Sequence, residues 1–452
     1  MANHASSEAM DDSGIHADFI PADRYADSLA VLERDRLWPR IWHIVCRAEE
    51  LPRQGDFLTY EIGDESIIIA RVSASEIKAF YNACQHRGRQ LVDRPKGHLA
   101  GFYCRFHGWS YRLDGSVAQV NREQEWADCP RFHAADLGLK SPRIGQWAGW
   151  VWIAMDDDAP SLEEWLGEPL MRIMGPFDLQ DLRIAWHERI HAPVNWKVVI
   201  EAFNEGYHSG ATHNQRIDYN VMHSPGVIHG RHGMYFTTFN GLPKLKREDG
   251  TWSTATSIQD MLYYQSKELN ETLFALAPDT AMRAMARLRE ETGPEMAPEA
   301  IFAALWRLQR EEIEATGARW PERLTPEHVA EAGTSWHLFP NTIFLPVPDG
   351  VLWYRMLPDG GDPRRCVFDI WGLGRFAPGR EPLVETRVSL GFEEARGRNP
   401  FLEQDFDNMV AVDRGMRSRG WIGARTNPAE ENLIVNFHRQ LDLYLADQRP
   451  AG

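Results

Sequence analysis

Nowhere in the 452-residue chain does an uninterrupted apolar run reach the roughly 20 residues that a helical membrane span requires. No membrane association is expected on that ground. Positive charge is scarce too: 49 Lys and Arg stand against 65 Asp and Glu, a formal net charge of −16. Such a surface repels phosphate backbones, so nucleic acid is not an expected partner. Cysteine is sparse and odd in number, with Cys46, Cys84, Cys104, Cys129 and Cys366. That argues against a disulfide framework and for thiols that either ligate a metal or lie buried. The opening MANHASSEAMDDSG is acidic and lacks the apolar stretch of a secretory signal, so a cytoplasmic location is expected. Internal repeats and low-complexity tracts are absent as well.

What is present is enough apolar side chain for more than one core. Hydrophobic residues make up 43% of the chain, with 17 Trp and 20 Phe, over a length that single cores seldom serve. Residues 1–40 read as an N-terminal helical segment, because Leu29, Leu32, Leu37 and Trp38 recur at helical spacing between charges. From WHIVC at 42–46 to GWVWIAM at 149–155 the texture changes to short β-type runs, punctuated by Gly55, Gly63-Asp64, Gly97 and Asp114-Gly115. Residues 41–156 are therefore expected to form a small all-β domain.

Residues 157–452 make the second domain. It opens on strand-like RIAWHERIHAPV, continues into NWKVVIEAFNEGYHSGATH as a helix beginning near Asn195, and returns to strands at SWHLFPNTIFLPVPDG, VLWYRMLP and RCVFDIWGLGRF. A helical insertion near 257–331 reads as surface helices, and two further helices are expected at about 402–418 and 429–447.

Two constellations carry chemistry. In the first, Cys84-Gln85-His86 and Cys104-Arg105-Phe106-His107 each present one thiol and one imidazole at the end of a strand. Four such donors suit tetrahedral zinc, but zinc ligands usually come in like pairs. A [2Fe–2S] centre of the Rieske kind needs the mixture, two thiolates on one iron and two imidazoles on the other. Gly88 and Gly108, just past the histidines, permit the close backbone approach that amide-to-sulfur hydrogen bonds require. Fortuitous proximity of four polar residues is the third reading.

The second constellation is His208-x4-His213, preceded by Glu205. On an ideal helix a pair five apart diverges by about 140°, so Gly206 and Gly210 would have to permit a distortion. Hydrogen-bonded surface histidines are the plainer alternative. An electron-transfer cluster needs an electron consumer, however, and two histidines with one carboxylate form the facial triad of Fe(II) oxygenases. His187, His191, His223, His229 and His232 read as hydrogen-bonded or solvated residues, and Cys46, Cys129 and Cys366 as buried thiols.

CQHRGRQL…CRFHGWSY, with seventeen residues between His86 and Cys104, resembles the Rieske domain of ring-hydroxylating non-haem iron oxygenases. EGYHSGATH, FLEQDFDNMVAVDRG, NWK and HLFPNTIFLPVPDGVLWYR extend that resemblance over nearly the whole chain, to the alpha (terminal oxygenase) subunit. The resemblance implies an α+β fold: an all-β Rieske [2Fe–2S] domain plus a catalytic domain of helix-grip, START-like type with an antiparallel sheet. It implies a cluster on Cys84, His86, Cys104 and His107, and a mononuclear Fe(II) on His208, His213 and Asp405, with Asp407 the competing carboxylate. Respiratory Rieske proteins carry an additional cysteine in each loop; here Arg89 and Phe106 stand in those neighbourhoods.

Glu205 occupies the place of the family's bridging acid, commonly Asp, between a cluster histidine of one subunit and an iron-ligand histidine of the next. Glu201 stands where many family dioxygenases have Asn. By the same analogy Phe203, Phe339, Asn341, Phe344 and Met356 are candidates to line a substrate cavity, core packing being the alternative. The implied enzyme takes O2, a small-molecule substrate and electrons from an NAD(P)H-driven reductase, with or without a ferredoxin, and assembles as an α3 trimer or as α3β3. Hydroxylation of an aromatic or polycyclic molecule is the leading expectation, and monooxygenation of an alkyl or N-methyl group on a quaternary amine the second. From other classes come a Rieske electron carrier with a degenerate second domain and a zinc-stabilised binding module.

Overall fold

The structure, a computed structural model, describes residues 14–133, 136–293 and 295–447. They form two units, one spanning Glu33–Trp165 and the other comprising the chain up to Leu32 and from Leu166 onward.

The first unit is built from short strands: β1 (Trp42–Arg47), β2 (Asp56–Ile62), β3 (Glu65–Arg71), β4 (Ile77–Tyr81), β5 (Lys96–His98), β6 (Gly101–Tyr103), β7 (Ser110–Arg112), β8 (Val117–Gln119), β9 (Arg143–Trp147) and β10 (Trp150–Ala154). Ile67, Ile68 and Ile69 are all buried, so β3 is covered on both faces, and it runs centrally in the sheet β4-β3-β2-β5. Two three-stranded sheets, β9-β10-β1 and β6-β7-β8, complete the unit. Every pairing within it is antiparallel.

The second unit is organised on an eight-stranded sheet. Its strands are β11 (Arg183–Ala192), β12 (Gly226–His229), β13 (His232–Tyr235), β14 (Ser335–Leu338), β15 (Thr342–Val347), β16 (Gly350–Asp359), β17 (Asp362–Gly374) and β18 (Arg387–Ser389). The order is β12-β13-β14-β15-β16-β17-β11-β18, antiparallel except where β18 joins β11 in parallel. Helix α1 (Trp196–Phe203) is buried on nearly every side and packs on β15, β16 and β17. Its start is fixed by Asn195, whose side chain accepts a hydrogen bond from the Lys197 amide at 2.9 Å. Within the sheet, Asp369 on β17 stands opposite Arg189 of β11 and Arg355 of β16 in register, so one carboxylate is clasped from both neighbouring strands.

The insertion does more than lie on a surface. Helices α2 (Ile258–Glu268), α3 (Asp279–Glu291), α4 (Pro298–Ala315) and α5 (Pro326–Ala332) follow one another. Ala284, Met285, Leu288, Ile301, Leu305 and Leu308 form a core of their own, while Arg287 pairs on the outside with Glu291, Glu311 and Glu312. The two late helices are α6 (Pro400–Gly415) and α7 (Asn432–Leu445). None of the described helices is long and apolar enough to cross a membrane.

Several expectations are corrected. The first thirteen residues of the expected N-terminal helix lie outside the described residues, and the rest is not one helix. Ile20–Pro21 pairs as a strand with Gly423–Ala424, and only Leu29–Leu32 is α-helical. Pro21 and Pro39 each lack the amide that a continuous helix would need. By their internal packing the units part at Leu32/Glu33 and Trp165/Leu166; the domain divisions expected from the sequence, 40/41 and 156/157, are not decided by this. At the second break the cause is packing: Leu162 lies against Gly145 of β9, 2.8 Å from where a β-carbon would sit, and so extends the first unit. Cys46 and Cys366 are buried, but Cys129 is exposed, because it sits in a polar turn whose amide bonds Trp126.

Candidate metal centres

The first centre is made by two loops of the same design. Cys84 donates its amide to the Arg89 carbonyl and accepts from the Gly88 amide; Cys104 does the same with Trp109 and Gly108. Gly88 and Gly108 close these turns at φ 73° and 78°, a left-handed conformation that a side chain would strain. One loop follows β4 and the other joins β6 to β7. Both thiols are buried, and the His86 and His107 rings lie 4.5 Å apart. His86 is held flat against Trp109 at 5.1 Å and 9°.

The donor set is poised for a group that is not protein. Nδ1 of His86 and Nδ1 of His107 are buried with no hydrogen-bond partner among the described residues, a costly state unless another atom satisfies them. Burial is the largest influence on both cysteines. It raises Cys84, whereas the amides of Phe106 and His107 outweigh it at Cys104 and hold that thiol below its ordinary value. Tyr111, buried between the loops, accepts from the Gln85 amide at 3.0 Å and lies within hydrogen-bond reach of Cys84 Sγ at 3.3 Å. Two thiolates and two imidazole Nδ1 atoms therefore fit a mixed-ligand iron–sulfur cluster.

The second centre departs from the expected distorted helix. Helix α1 stops at Phe203, and His208 and His213 bracket a separate single turn, Ser209–Thr212. Neither glycine is needed for a bend. Gly206 is required by contact, since a β-carbon there would come 2.2 Å from Ser224 Oγ. The turn aims the two Nε2 atoms at each other, 3.2 Å apart. Asp405 on α6 brings Oδ1 to 3.6 Å from His208 Nε2 and 3.5 Å from His213 Nε2. These three groups offer ligand atoms within 4.8 Å of one another, and Asp405 Oδ2 is buried without a hydrogen-bond partner among the described residues. Asp407 points away, exposed and paired with Arg396.

The outward nitrogens fix the tautomers. His208 Nδ1 donates to Glu205 Oε1 at 2.6 Å, and His213 Nδ1 donates to Gln404 Oε1 at 2.8 Å, so both Nε2 lone pairs face the same point. Burial disfavours a charge on His208, but Glu205 and then Asp405 outweigh it and push its pKa up to about 9. Burial and then the His208 charge push His213 down to about 4. Burial, opposed by His208 and reinforced by Glu205, lifts Asp405 to about 7. A divalent cation would take the place of the proton that this cluster otherwise shares.

A cavity of about 220 Å³ opens beside these groups, lined by Glu201, Glu205, His208, Asp405 and Glu431 among others. Glu201, four residues before Glu205, is bonded by His438 at 2.7 Å and Tyr25 at 3.2 Å. The five residues considered for a substrate cavity are not in its lining. They are buried between α1 and the sheet or within it, where Phe203 stacks on Phe368 and lies tilted against Tyr354, Phe344 stacks on Trp353, and Asn341 bonds the Met356 carbonyl. The remaining histidines also have structural partners: His187 with Asp369, His191 with Asp359, and His232 with the Phe339 amide. His229 stacks on Trp336, and His223 lies near Glu430. Gln404, Tyr111 and Trp109 were not singled out by the sequence. Only the adjacency of Gln404 to Asp405 offered a signal.

Two family models match the chain. The family "Ring hydroxylating alpha subunit (catalytic domain)" matches residues 179–447, and "Rieske [2Fe-2S] domain" matches residues 41–133. The glycine betaine monooxygenase oxygenase subunit of Pseudomonas aeruginosa is 31% identical over 199 residues, 44% of this chain and 45% of its own. The anthranilate 1,2-dioxygenase large subunit of Acinetobacter baylyi is 32% identical over 200 residues, 43% of this chain and 42% of its own. The matches thus span less than half the length of these curated relatives. Among solved structures, a quaternary ammonium Rieske monooxygenase in complex with L-carnitine superposes with a TM-score of 0.61 at 18% identity, over 95% of this chain and 97% of that one. Naphthalene 1,2-dioxygenase with indole in its active site gives 0.63 at 18%, over 96% and 93%. At such identity the likeness is one of fold. Cys84, His86, Cys104 and His107 therefore sit in a Rieske domain rather than a zinc module, and the chain belongs to the ring-hydroxylating alpha subunits.

Proposed function

We propose that the chain is the terminal oxygenase of a Rieske non-haem iron system, hydroxylating a small organic molecule with O2 and two electrons from a reductase, with or without a ferredoxin. The observation that carries this is the convergence of His208 Nε2, His213 Nε2 and Asp405 Oδ1 on one point, with both outward nitrogens tied down. When bound there, iron supplies the O2 chemistry that no side chain can, and the cluster supplies electrons one at a time. The chain's own part is to hold the donors. Glu205 accepts a hydrogen bond from Nδ1 of His208, keeps Nε2 free, and is the group we assign to meet a cluster histidine of a neighbouring copy in a head-to-tail trimer.

The charge beside the triad favours the second of the two expected substrate classes. Glu201, Glu205, Glu431 and Asp405 all reach one cavity. Burial and then the neighbouring Glu205 and Glu201 raise the Glu431 carboxyl; a cationic substrate relieves that repulsion and a neutral arene does not. An N-methylated ammonium compound is therefore the proposed substrate class. The relatives named for glycine betaine and carnitine support this reading, while those named for anthranilate and biphenyl support the aromatic one.

With a reductase and labelled O2, N-methyl ammonium compounds are expected to turn over, with one labelled atom entering the product and the other leaving as water. Turnover of neutral arenes to diols carrying two labelled atoms, with no turnover of the cations, would overturn the substrate class while leaving the oxygenase reading intact.

A further inference from the structure

Helix α6 embraces the second histidine with one face. Phe401, Gln404, Asp405 and Asn408 are spaced i, i+3, i+4 and i+7, so they lie along a single stripe of the helix. Phe401 stacks on the His213 ring at 4.1 Å and 16°. Gln404 Oε1 accepts from His213 Nδ1 at 2.8 Å. Asp405 offers Oδ1 to the shared point, and Asn408 bonds Thr212 Oγ1, one residue before the histidine, at 3.1 Å. Ring plane, ring rotation and tautomer are thus each set by a different residue of one helix.

The two imidazoles are held by unlike partners. His208 has a carboxylate on Nδ1, and His213 has an amide. Only the oxygen end of that amide is compatible with ligation. Turned the other way, it would present N–H to Nδ1, drive the His213 proton onto Nε2, and close the ligand position. A neutral acceptor fixes the tautomer without adding a third carboxylate beside Glu205 and Asp405. We propose that Gln404 is a positioning residue for the iron site: its side-chain oxygen holds His213 as the Nδ1–H tautomer, so that Nε2 is free for the metal. This rests on the reading of His208, His213 and Asp405 as an iron site.

The test is Fe(II) affinity, measured on full-length protein stripped of its mononuclear iron by chelator and titrated against a competing chelator, with cluster absorbance and thermal unfolding followed as controls. Gln404→Leu keeps the volume and loses the acceptor. It is expected to weaken Fe(II) binding by about 10–100-fold, as loss of an outer hydrogen-bond partner generally does. Gln404→Glu keeps an acceptor oxygen and is expected to stay within about threefold of wild type, with Gln404→Met repeating the Leu result should that variant fold poorly. A purely packing role predicts the reverse order, with Leu and Met benign and Glu damaging. That order, or Leu and Met binding like wild type, overturns the proposal. If wild type itself binds no chelator-removable Fe(II), the iron reading of the triad falls first, and the Gln404 role with it.

Discussion

His213→Ala is expected to abolish O2-dependent hydroxylation while the visible absorption of the Rieske cluster is unchanged. The two donor sets belong to separate units of the chain. Loss of His213 removes one of three converging ligand atoms and the partner of Gln404 Oε1. Removing an outer partner of a ligating histidine costs about 10–100-fold in affinity or activity, and losing the ligand itself should exceed that. The alanine also leaves a buried space beside Phe401, so thermal unfolding should be followed in parallel. Retained turnover in this variant, with a normal cluster spectrum, would remove the triad from the mechanism.

Asp369→Asn carries the largest expected effect on stability. The carboxylate is fully buried and receives Arg189 at 2.7 Å, Arg355 at 2.6 Å and His187 at 3.0 Å. Burial alone would raise its pKa, but Arg189, Arg355 and then His187 overcome that and hold it well below the usual carboxylate range. An asparagine removes the carboxylate charge that faces Arg355, which is only 2% exposed. Breaking such a pair from one side costs about 3–5 kcal/mol, or roughly 4–8 °C in melting temperature for a unit as large as the second one.

The pH dependence has a definite sign. Because the folded-state pKa is depressed, the contribution is complete above the ordinary Asp value of about 3.9 and is lost as pH falls through the lower folded value. The gap between wild type and Asp369→Asn should therefore be constant from neutral pH down to about 4 and narrow only in stronger acid. Urea unfolding at pH 7 and at pH 3 reads both arms. Equal stability at pH 7 would mean that the network does not hold the sheet.

The cluster loops were legible because their information is local. Each loop carries its thiol, its imidazole and its turn glycine within five residues, and the geometry follows from closing the same hydrogen-bonded turn twice. The proposed iron site was legible as a set of residues but not in shape. H-x4-H suggested one bent helix, whereas Asn204 ends α1 and the histidines belong to a separate turn placed by tertiary packing, with Ser224 filling the space a side chain on Gly206 would need. Asp405 lies almost two hundred residues from His213 and emerged only from resemblance, since Asp405 and Asp407 are indistinguishable as letters. Folding separates them by burying one and pairing the other with Arg396. Gln404 and Tyr111 left no trace in any spacing rule, because a neutral hydrogen-bond partner is defined by where it points. The N-terminal helix failed for an opposite reason: its apolar spacing was real, but Leu37 and Trp38 are buried by the first unit without a continuous helix being formed.

The central claim is that one polypeptide carries two different iron sites, one sulfur-bridged and one held by two histidines and a carboxylate. Metal and acid-labile sulfide analysis of anaerobically purified protein, before and after treatment with a ferrous chelator, tests it most directly. The account predicts three irons and two sulfides per chain in fully loaded protein, with the chelator removing one iron and leaving the cluster spectrum in place. Zinc in place of iron, no sulfide, or no chelator-removable iron in protein with an intact cluster would contradict it.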